Sequence, residues 1–426
     1  MNYLPDSDSE DEMPPGWTEQ VTEEGIVLYR NNQTGCTQWT HPRTGRTKRI
    51  SGDLPIGWRM SYDEKSECNV FFNTETKQTT LVDPRLAFAV EEPPRTISQV
   101  RQRFDGSSTA LQVLHGKNLH GHVAVITGAN SGIGYETARS LAFHGCEVIF
   151  ACRNKYSTDQ AIERIAKERP ATRNRLRFAQ LDLASFKSVY LFVEDIKSKV
   201  KHLDYLILNA GVFALPYTLT EDNIETTFQV SHLSHFYITL ELEPLFDHKT
   251  RVVVLSSESH RFASLPTDNL TVQHLSPPPK KYWSMMAYNN VKLCNVLFTL
   301  ELAKRWKHRG ICVFSVHPGN MVSTQLQRNW WFYRLLFAIV RPFTKSLQQA
   351  AATTIYCATA NELTGLTGLY FNNCYICESS KISQNEKLQQ QLWEISQEMV
   401  QLLLAKEKQQ QAADDNEINT TTNFVY

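Results

Sequence analysis

A short apolar run, followed at once by a glycine-rich turn and a helical stretch, constrains the fold of this chain more than any other feature. The run is residues 122–127, the turn has the spacing G-x-x-x-G-x-G, and the helical stretch is residues 135–144. Glycine lets the backbone approach a pyrophosphate closely, and the free amides of a helix N-terminus attract that anion. We therefore expect a dinucleotide to bind along the turn, at Gly128, Ala129, Asn130, Ser131, Gly132, Ile133 and Gly134.

Further apolar runs alternate with amphipathic helical stretches along the chain. They span residues 147–152, 176–183, 203–208, 251–256 and 311–316. Continuous apolar strands that alternate with helices predict an α/β fold with a doubly wound parallel Rossmann sheet, covered on both faces. Ligands of such sheets bind at the carboxyl ends of the strands, where Asp182, Asn209, Ser257 and His317 stand. Asp182 and Asn209 are therefore predicted cofactor-binding residues.

The residue that ends the second strand of this sheet bears on the choice of cofactor. An acidic residue at that point usually holds the ribose hydroxyls of NAD, but the chain has Arg153 there. A cation suits the 2′-phosphate of NADP. We therefore predict NADP rather than NAD, with a plain loop cation as the alternative interpretation.

Residues 287–292 (Ala-Tyr-Asn-Asn-Val-Lys) lie in a helix-forming context that contains a candidate acid/base pair. Tyr288 and Lys292 share one face, one turn apart. A phenol titrates near pH ~10, and we expect the neighbouring ammonium to lower its pKa toward the working range. Tyr288 could then exchange a proton with an alcohol or carbonyl, while Ser257 hydrogen-bonds the same oxygen.

The glycine turn, Asn209-Ala210-Gly211, Ser256-Ser257 and the Tyr-x-x-x-Lys follow one another in an order that resembles the short-chain dehydrogenase/reductase family. The resemblance runs from about residue 120 to 375 and implies catalytic roles for Tyr288, Lys292 and Ser257. The long segment between Ser257 and Tyr288 is similar to the retinol-dehydrogenase-like branch. One departure is Ser231, which stands where many members have an asparagine that helps to hold a proton-relay water. Slow turnover is therefore an open expectation.

The first ninety residues contain an internal repeat of about forty residues. Each copy has a Pro-x-Gly-Trp or Pro-Gly-Trp start, a central aromatic strand and a closing proline, and each reads as a three-stranded antiparallel meander that resembles a WW domain. The resemblance implies one packed face with Trp17, Tyr29 and Pro42 in the first copy, and Trp58, Phe72 and Pro84 in the second.

The opposite face of a WW domain holds proline-rich ligands, often of the PPxY type, in polyproline II form. In the first copy this groove would use Trp39 and Leu28, with the leucine replacing the usual aromatic residue. The second copy has Leu81 in place of the second tryptophan, so we expect it to bind ligand poorly. The open alternative for the first copy is a purely structural role.

Composition and patterning together suggest the following division of the chain. Residues 13–45 and 54–87 form the two WW domains, and residues 116–385 form the catalytic domain. The remaining parts are an acidic disordered tail at 1–12, a linker at 88–115, and a C-terminal helix with a polar tail at 386–426. A basic run at 43–49, between the two repeats, has two interpretations, a nuclear-import patch or a solvated connector.

Charge and cysteine usage exclude several classes of protein. Lys plus Arg and Asp plus Glu both number 44, so we expect no nucleic-acid partner. The nine cysteines are scattered, and a metal or redox role for Cys374 and Cys377 is disfavoured because no second Cys/His pair has metal spacing. No secretory leader is evident, so we expect a cytoplasmic protein, with the nucleus and mitochondria as further candidate compartments and no secretion.

The apolar residues 330–340 are too few for a membrane span of roughly 20 residues and are interrupted by Arg334. They suit either a core helix or a lid over a lipophilic substrate. The leading hypothesis is thus an NADP-linked enzyme that acts on a lipophilic alcohol or ketone, such as a steroid or retinoid. The alternative is a signalling adaptor whose WW modules recruit proline-rich proteins while the large domain senses cofactor.

Overall fold

The fold is taken from a computed structural model of the full chain. It describes residues 13–422 apart from residues 23, 51–53, 56, 64–67, 89, 93–95, 101 and 320–344. The chain divides into two compact units, Met1–Arg101 and Gln102–Tyr426. The linker predicted at 88–115 spans this division. The acidic tail at 1–12 and the apolar segment at 330–340 lie outside the described residues.

The first unit contains two three-stranded antiparallel sheets, which confirms the two predicted meanders. β1 (Trp17–Val21), β2 (Val27–Asn31) and β3 (Thr37–Gln38) form the first sheet, and β4 (Thr47–Arg49) follows it. β5 (Trp58–Asp63), β6 (Cys68–Asn73) and β7 (Thr79–Thr80) form the second sheet. A 3-10 helix at Pro84–Phe88, β8 (Val90–Glu92) and a second 3-10 helix at Ile97–Gln99 complete the unit.

The packed aromatic residue of the second copy is Phe71, and the prediction of Phe72 is wrong. Phe71 is only 3% exposed, whereas Phe72 is 36% exposed. The register explains the difference, because Phe71 pairs with Met60 and therefore shares the face of Trp58, while Phe72 pairs with Arg59. Side chains alternate along a strand, so an alignment that is one residue out selects the opposite face.

The basic run between the two sheets is more ordered than a solvated connector. Its residues Thr47–Arg49 form β4, which pairs antiparallel with β8. Lys48 Nζ lies 4.0 Å from a carboxylate oxygen of Glu19. Ile50, directly after β4, is buried in a cluster with Val27 and Tyr29. The ordered structure around the first module therefore continues beyond residue 45, where the repeat pattern ends that module.

The second unit is built on an eight-stranded sheet, which confirms the predicted doubly wound fold. Its strand order is β11-β10-β9-β12-β13-β14-β15-β16, and all neighbours are parallel except β15 and β16. The strands are β9 (Val123–Thr127), β10 (Glu147–Cys152), β11 (Leu176–Gln180), β12 (Tyr205–Leu208), β13 (Arg251–Leu255), β14 (Cys312–His317), β15 (Leu369–Asn372) and β16 (Tyr375–Cys377). The order reverses between β9 and β12, which is where such sheets bind nucleotides.

Helices cover both faces of this sheet. The described α-helices are α1 (Ala110–Val113), α2 (Gly132–Phe143), α3 (Lys155–Glu168), α4 (Phe186–Lys199), α5 (Thr226–Phe228), α6 (Ser234–Glu241), α7 (Val272–Leu275), α8 (Ser284–Trp306), α9 (Leu347–Thr359) and α10 (Glu386–Thr422). α1, α2 and α9 contact one another, while α4, α6, α8 and α10 contribute to one large apolar cluster. Across the described residues, every helix is too short or too polar to cross a lipid bilayer.

Cys374 and Cys377 belong to the hairpin at the sheet edge. Cys374 lies buried in the turn between β15 and β16, and Cys377 ends β16. Burial raises the pKa of Cys374 to about 11 and also raises the pKa of Cys377. Both are therefore thiols at neutral pH, as expected for ordinary core cysteines. The described residues include no group of three His, Cys, Asp or Glu side chains placed to hold a metal ion.

Candidate active site

The glycine turn joins the carboxyl end of β9 to the start of α2 and leaves no room for side chains at two positions. Gly128 has φ +67°, in the left-handed region that favours glycine. A Cβ at Gly134 would stand 2.5 Å from Asn209 Nδ2 and from the carbonyl oxygen of Gly128. The helix therefore starts in direct contact with the turn, and its first amides remain at the open edge of the sheet.

The N-terminus of α2 has no capping side chain. Ser131 occupies the cap position but makes no side-chain hydrogen bond to the helix amides. Asn130 instead donates from Nδ2 to Ser157 Oγ at 2.9 Å, and Ala129 is fully buried. Uncapped amides at the start of a twelve-residue helix form a suitable site for the pyrophosphate of a dinucleotide.

Asn209 connects the two strands at which the sheet order reverses. Its Nδ2 donates to the carbonyl oxygen of Thr127 at 2.9 Å and to that of Gly128 at 3.4 Å. The amide of Ala210 donates to Thr127 Oγ1 at 2.9 Å. The side chain of Asn209 thus stabilises the crevice between β9 and β12. It lies at the strand end, where the sequence predicts it.

Arg153 and Asp182 lie beside each other at the ends of β10 and β11. Arg153 Nε is 3.9 Å from an Asp182 carboxylate oxygen, and the arginine side chain is 73% exposed. Asp182 also accepts a hydrogen bond from the amide of Ala184 at 3.0 Å. The guanidinium is therefore loosely held and free to contact a ligand at this end of the crevice.

The predicted acid/base residues converge on α8 and the end of β13. Lys292 is 5% exposed, and its Nζ donates to the carbonyl oxygen of Leu255 at 3.1 Å. The same Nζ lies 5.6 Å from the centroid of the Tyr288 ring. The side chains of Ser257 and Ser259 lie near the Tyr288 phenol and act to lower its pKa. Phe213 packs edge-on against Tyr288, with ring centroids 4.7 Å apart.

The protonation states differ from the sequence expectation. Burial raises the pKa of Tyr288, and the two serine hydroxyls only partly oppose that effect. Burial also lowers the pKa of Lys292 to about 8. We expected the neighbouring ammonium to lower the pKa of the phenol, but the net shift is upward because burial dominates. In the protein without ligands, Tyr288 is therefore a protonated phenol at neutral pH.

Ser231 lies close to Lys292, in a short π-helix at Gln229–Leu233 between α5 and α6. Its Oγ accepts a hydrogen bond from the amide of Val212 at 3.3 Å. A Cβ placed on Gly211 would stand 3.4 Å from Ser231 Oγ and 3.5 Å from Lys292 Nζ. The residue that departs from the family pattern thus faces the same small space as the lysine.

Sequence reasoning missed three residues near the reacting position, namely Ser259, His260 and Phe213. Ser259 and His260 follow Ser257 so closely that the strand-end rule could have included them. Phe213 belongs to the loop after β12, and no local pattern indicates its contact with Tyr288. That contact depends on tertiary packing alone.

The predicted peptide groove lies on one face of the first small sheet. Tyr29 pairs with Gln38, so continuation of the register places Leu28 opposite Trp39. Trp39 is 52% exposed and Leu28 is half-buried, while Tyr29 on the other face is fully buried. In the second copy, the residue at the position of Trp39 is Leu81, which is 67% exposed.

The comparisons with known proteins agree with this architecture. The family model for the short chain dehydrogenase matches residues 122–265. The chain is 71% identical to a Drosophila melanogaster protein named WW domain-containing oxidoreductase, over 96% of this chain and 100% of that protein. The human protein of the same name is 48% identical over 93% of this chain and 96% of its own length.

Two further similarities concern the large domain. Mouse retinol dehydrogenase 12 is 40% identical over 72% of this chain and 93% of its own length. A crystal structure of an uncharacterised protein from Mycobacterium paratuberculosis superimposes with a TM-score of 0.54 at 26% identity, covering 68% of this chain and 97% of that chain.

A Rossmann sheet with an open helix N-terminus, and relatives of this kind, define an oxidoreductase that uses a nicotinamide cofactor. The chain belongs to the short-chain dehydrogenase/reductase family, in the group that carries WW domains ahead of the catalytic domain.

Proposed function

We propose that this chain is an NADP-dependent enzyme that transfers hydride between nicotinamide and a lipophilic alcohol or ketone of the retinoid or steroid type. One observation carries the proposal. The phenol of Tyr288 stands beside the hydroxyls of Ser257 and Ser259, one helical turn from the buried Lys292 and at the same sheet edge as the open end of α2. This arrangement suits proton transfer at an oxygen next to a bound dinucleotide.

Each of the three residues has a distinct chemical task. Tyr288 donates a proton to the carbonyl oxygen of a ketone, or accepts one from an alcohol, and its protonated state at neutral pH suits the first direction. The hydroxyl of Ser257 hydrogen-bonds the same oxygen and stabilises its developing charge. Lys292 supplies a buried donor next to the phenol ring. When bound, the nicotinamide supplies or accepts the hydride.

The choice of NADP depends on Arg153. Its guanidinium is mostly exposed at the end of β10 and has only a long contact with Asp182. A bidentate cation in this position would bind a 2′-phosphate, whereas NAD offers it only ribose hydroxyls. The turn residues 128–134 and Asn209 would hold the rest of the dinucleotide.

The substrate class is supported by the relatives and by the local chemistry. A retinol dehydrogenase is 40% identical over most of the catalytic domain, and its name describes a lipophilic alcohol as substrate. The Phe213 ring beside Tyr288 contributes an apolar wall to the reacting position. Ser231 in place of asparagine would supply a hydroxyl near Lys292 for proton relay, with slower turnover as the consequence.

The second activity in this proposal is binding of proline-rich, PPxY-type motifs by the first WW domain. The exposed indole of Trp39 opposite Leu28 offers a flat apolar surface to a polyproline II segment. A cytoplasmic location is part of the same proposal, because the eight cysteines whose side chains the structure describes are all unbridged, as thiols are in a reducing compartment.

Turnover by the purified full chain tests the enzymatic proposal. All-trans-retinal and androstenedione would be incubated with NADPH or NADH, and product formation measured. We expect turnover with NADPH that is lost in Tyr288→Phe, while NADPH binding, followed by its fluorescence, is retained. NADPH binding without turnover of either compound would favour the adaptor alternative, in which the large domain only senses cofactor.

A further inference from the structure

His260 lies three residues beyond Ser257, in the 3-10 helix Glu258–Phe262, and both nitrogens of its ring are engaged. Nδ1 lies 2.7 Å from the carbonyl oxygen of Ser257. Nε2 lies 3.0 Å from the backbone amide of Ser380. The ring is fully buried and tilts against Tyr370, with centroids 4.9 Å apart. It therefore joins the end of β13 to a segment more than a hundred residues later.

The partners of the ring fix its tautomer. The amide of Ser380 can only donate, so Nε2 must be an unprotonated acceptor. Nδ1 must then carry the proton and donate it to the carbonyl of Ser257. Burial lowers the pKa of His260, which keeps the ring neutral and this pattern intact. A neutral, doubly bonded ring is a rigid connection.

Ser256, the preceding residue, is held by hydrogen bonds at the end of β13, and two further hydrogen bonds to Ser257 itself come from backbone amides nearby in the sequence. The amide of Ser259 donates to Ser257 Oγ at 3.3 Å, and the amide of His260 donates to the Ser257 carbonyl at 3.0 Å. Both bonds come from the same short helix that Ser257 caps. Among these hydrogen bonds, the one from the His260 ring connects Ser257, through Ser380, to a distant part of the chain.

Other residues of the 3-10 helix Glu258–Phe262 also form hydrogen bonds with β15 and with the segment near Ser380. Glu258 accepts hydrogen bonds from the Tyr370 hydroxyl at 2.7 Å and from Asn372 Nδ2 at 3.3 Å. Arg261 donates to the carbonyl oxygen of Glu378 at 2.7 Å. The segment that follows Ser257 is therefore held by β15 and by residues 378–380, with the imidazole nearest to the serine.

We propose that His260 is a positioning residue, which sets the place of the Ser257 hydroxyl by holding the Ser257 carbonyl and is itself held by the amide of Ser380. The inference rests on the proposed role of Ser257 as a hydrogen-bond donor to the reacting oxygen. Such a donor must be correctly placed, because a displacement of about 1 Å can cost on the order of a hundredfold in rate.

Two substitutions separate positioning from general stability. In His260→Asn, the side-chain amide can replace Nδ1 as the donor to the Ser257 carbonyl. In His260→Gln, the longer side chain can reach only toward Ser380. We expect kcat for all-trans-retinal with NADPH to fall about tenfold or more in His260→Gln and less than about threefold in His260→Asn. KM for NADPH should change in neither variant. Equal loss in both, or a loss expressed in KM, would overturn the proposal.

A second pair of variants leaves the histidine in place. Ser380 has φ −61°, which a proline can adopt, so Ser380→Pro removes the amide donor to Nε2 with little backbone strain. Ser380→Ala keeps that amide and is the matched control. We expect kcat to fall severalfold in the proline variant and to stay unchanged in the alanine variant. Identical rates for the two would contradict the inference, even if the His260 variants fail to fold.

The outcome can be kept separate from that of the proposed function. If the unaltered chain turns over no retinal, the proposed function fails, but the positioning claim can still be measured by crystallography. The Ser257 hydroxyl should then be displaced by about 1 Å in His260→Gln and remain in place in His260→Asn. An unmoved hydroxyl in the glutamine variant would refute the claim.

Discussion

At the scale of single residues, the candidate site contains a lysine whose burial is costly. Lys292 has a pKa of about 8, against 10.5 for an unhindered lysine, because its ammonium is removed from water. Its hydrogen bond to the Leu255 carbonyl is not needed to satisfy that oxygen, since Asn295 Nδ2 also donates there at 2.9 Å. Burial of this ammonium therefore costs stability, which is consistent with the catalytic role proposed for Lys292.

Replacing Lys292 by methionine should stabilise the protein without ligands. Between pH 8 and 10.5 the unfolded chain binds the proton that the folded chain has lost, so stability of the unaltered protein rises through that window. The variant should thus be more stable by up to about 3 kcal/mol below pH 8, with the advantage gone above pH 10.5. Urea unfolding at pH 7 and pH 10 measures this.

The control for that experiment is Lys187→Met at an exposed position of α4, which should show no such pH dependence. A Lys292→Met protein less stable than the parent at pH 7 would mean that the ammonium is net stabilising where it lies, contrary to the argument from burial.

Arg153→Glu should reverse the cofactor preference. A carboxylate at the end of β10 would repel the 2′-phosphate and accept hydrogen bonds from the ribose hydroxyls of NAD. We expect KM for NADPH to rise about tenfold or more, with KM for NADH unchanged or lower. Initial rates with both cofactors measure the effect. Lys155→Glu, two residues away at the start of α3, is the matched control, and an equal effect there would indicate general charge repulsion.

At the scale of elements, the sequence predicts strands and helices well where periodicity and glycine chemistry act locally. The turn at 128–134, the strand-end residues and the Tyr288–Lys292 face follow from patterns within a few residues. The choice between Phe71 and Phe72 does not, because the second copy has one more residue between its first tryptophan and its packed aromatic residue than the first copy. The pairing of β4 with β8 and the contact of His260 with Ser380 join segments that are distant in the sequence. No local sequence pattern predicts either contact.

The C-terminal helix α10 is the element whose importance the sequence least reveals. Its early part packs on α8 and α6 within the large apolar cluster. Trp393 is 8% exposed, meets Phe236 edge-on at 5.0 Å between ring centroids, and lies 4.1 Å from the guanidinium carbon of Arg305. A helix that sequence composition describes as polar is thus a structural part of the catalytic domain.

Trp393→Ala should lower the free energy of unfolding by about 3–5 kcal/mol, as is usual when a buried tryptophan is removed. Leu402→Ala, at a position of the same helix that is 67% exposed, should change it by less than about 0.5 kcal/mol. Urea denaturation followed by circular dichroism measures both. Similar values for the two variants would show that the helix contributes little to the packed core.

At the scale of the whole molecule, the chain consists of two compact units with separate chemistry. The first contains the exposed Trp39, and the second contains Tyr288, Lys292 and Ser257 within one domain. The residues proposed for hydride transfer are all supplied by the second unit. Peptide binding and catalysis should therefore be separable by point substitution.

Trp39→Ala in the full chain should abolish binding of a proline-rich PPxY peptide and leave kcat with NADPH within about twofold of the parent value. Leu81→Ala, at the corresponding position of the second copy, should change neither property. Isothermal titration and initial rates give the two readouts. A large fall in kcat for Trp39→Ala would show that the two units are coupled.

The pairing of β4 with β8 joins the segments that precede and follow the second three-stranded sheet in the sequence. Leu86, which follows the second sheet, packs on the apolar cluster of the first, and β8 extends a pairing that begins at Thr47. The second three-stranded sheet therefore lies, along the chain, between two strands that pair with each other, and the segment after it contributes Leu86 to the core of the first module. A peptide that ends at residue 45 would lack β4 and the core contacts of Ile50 and Leu86, so studies of the first module alone require the chain through residue 92.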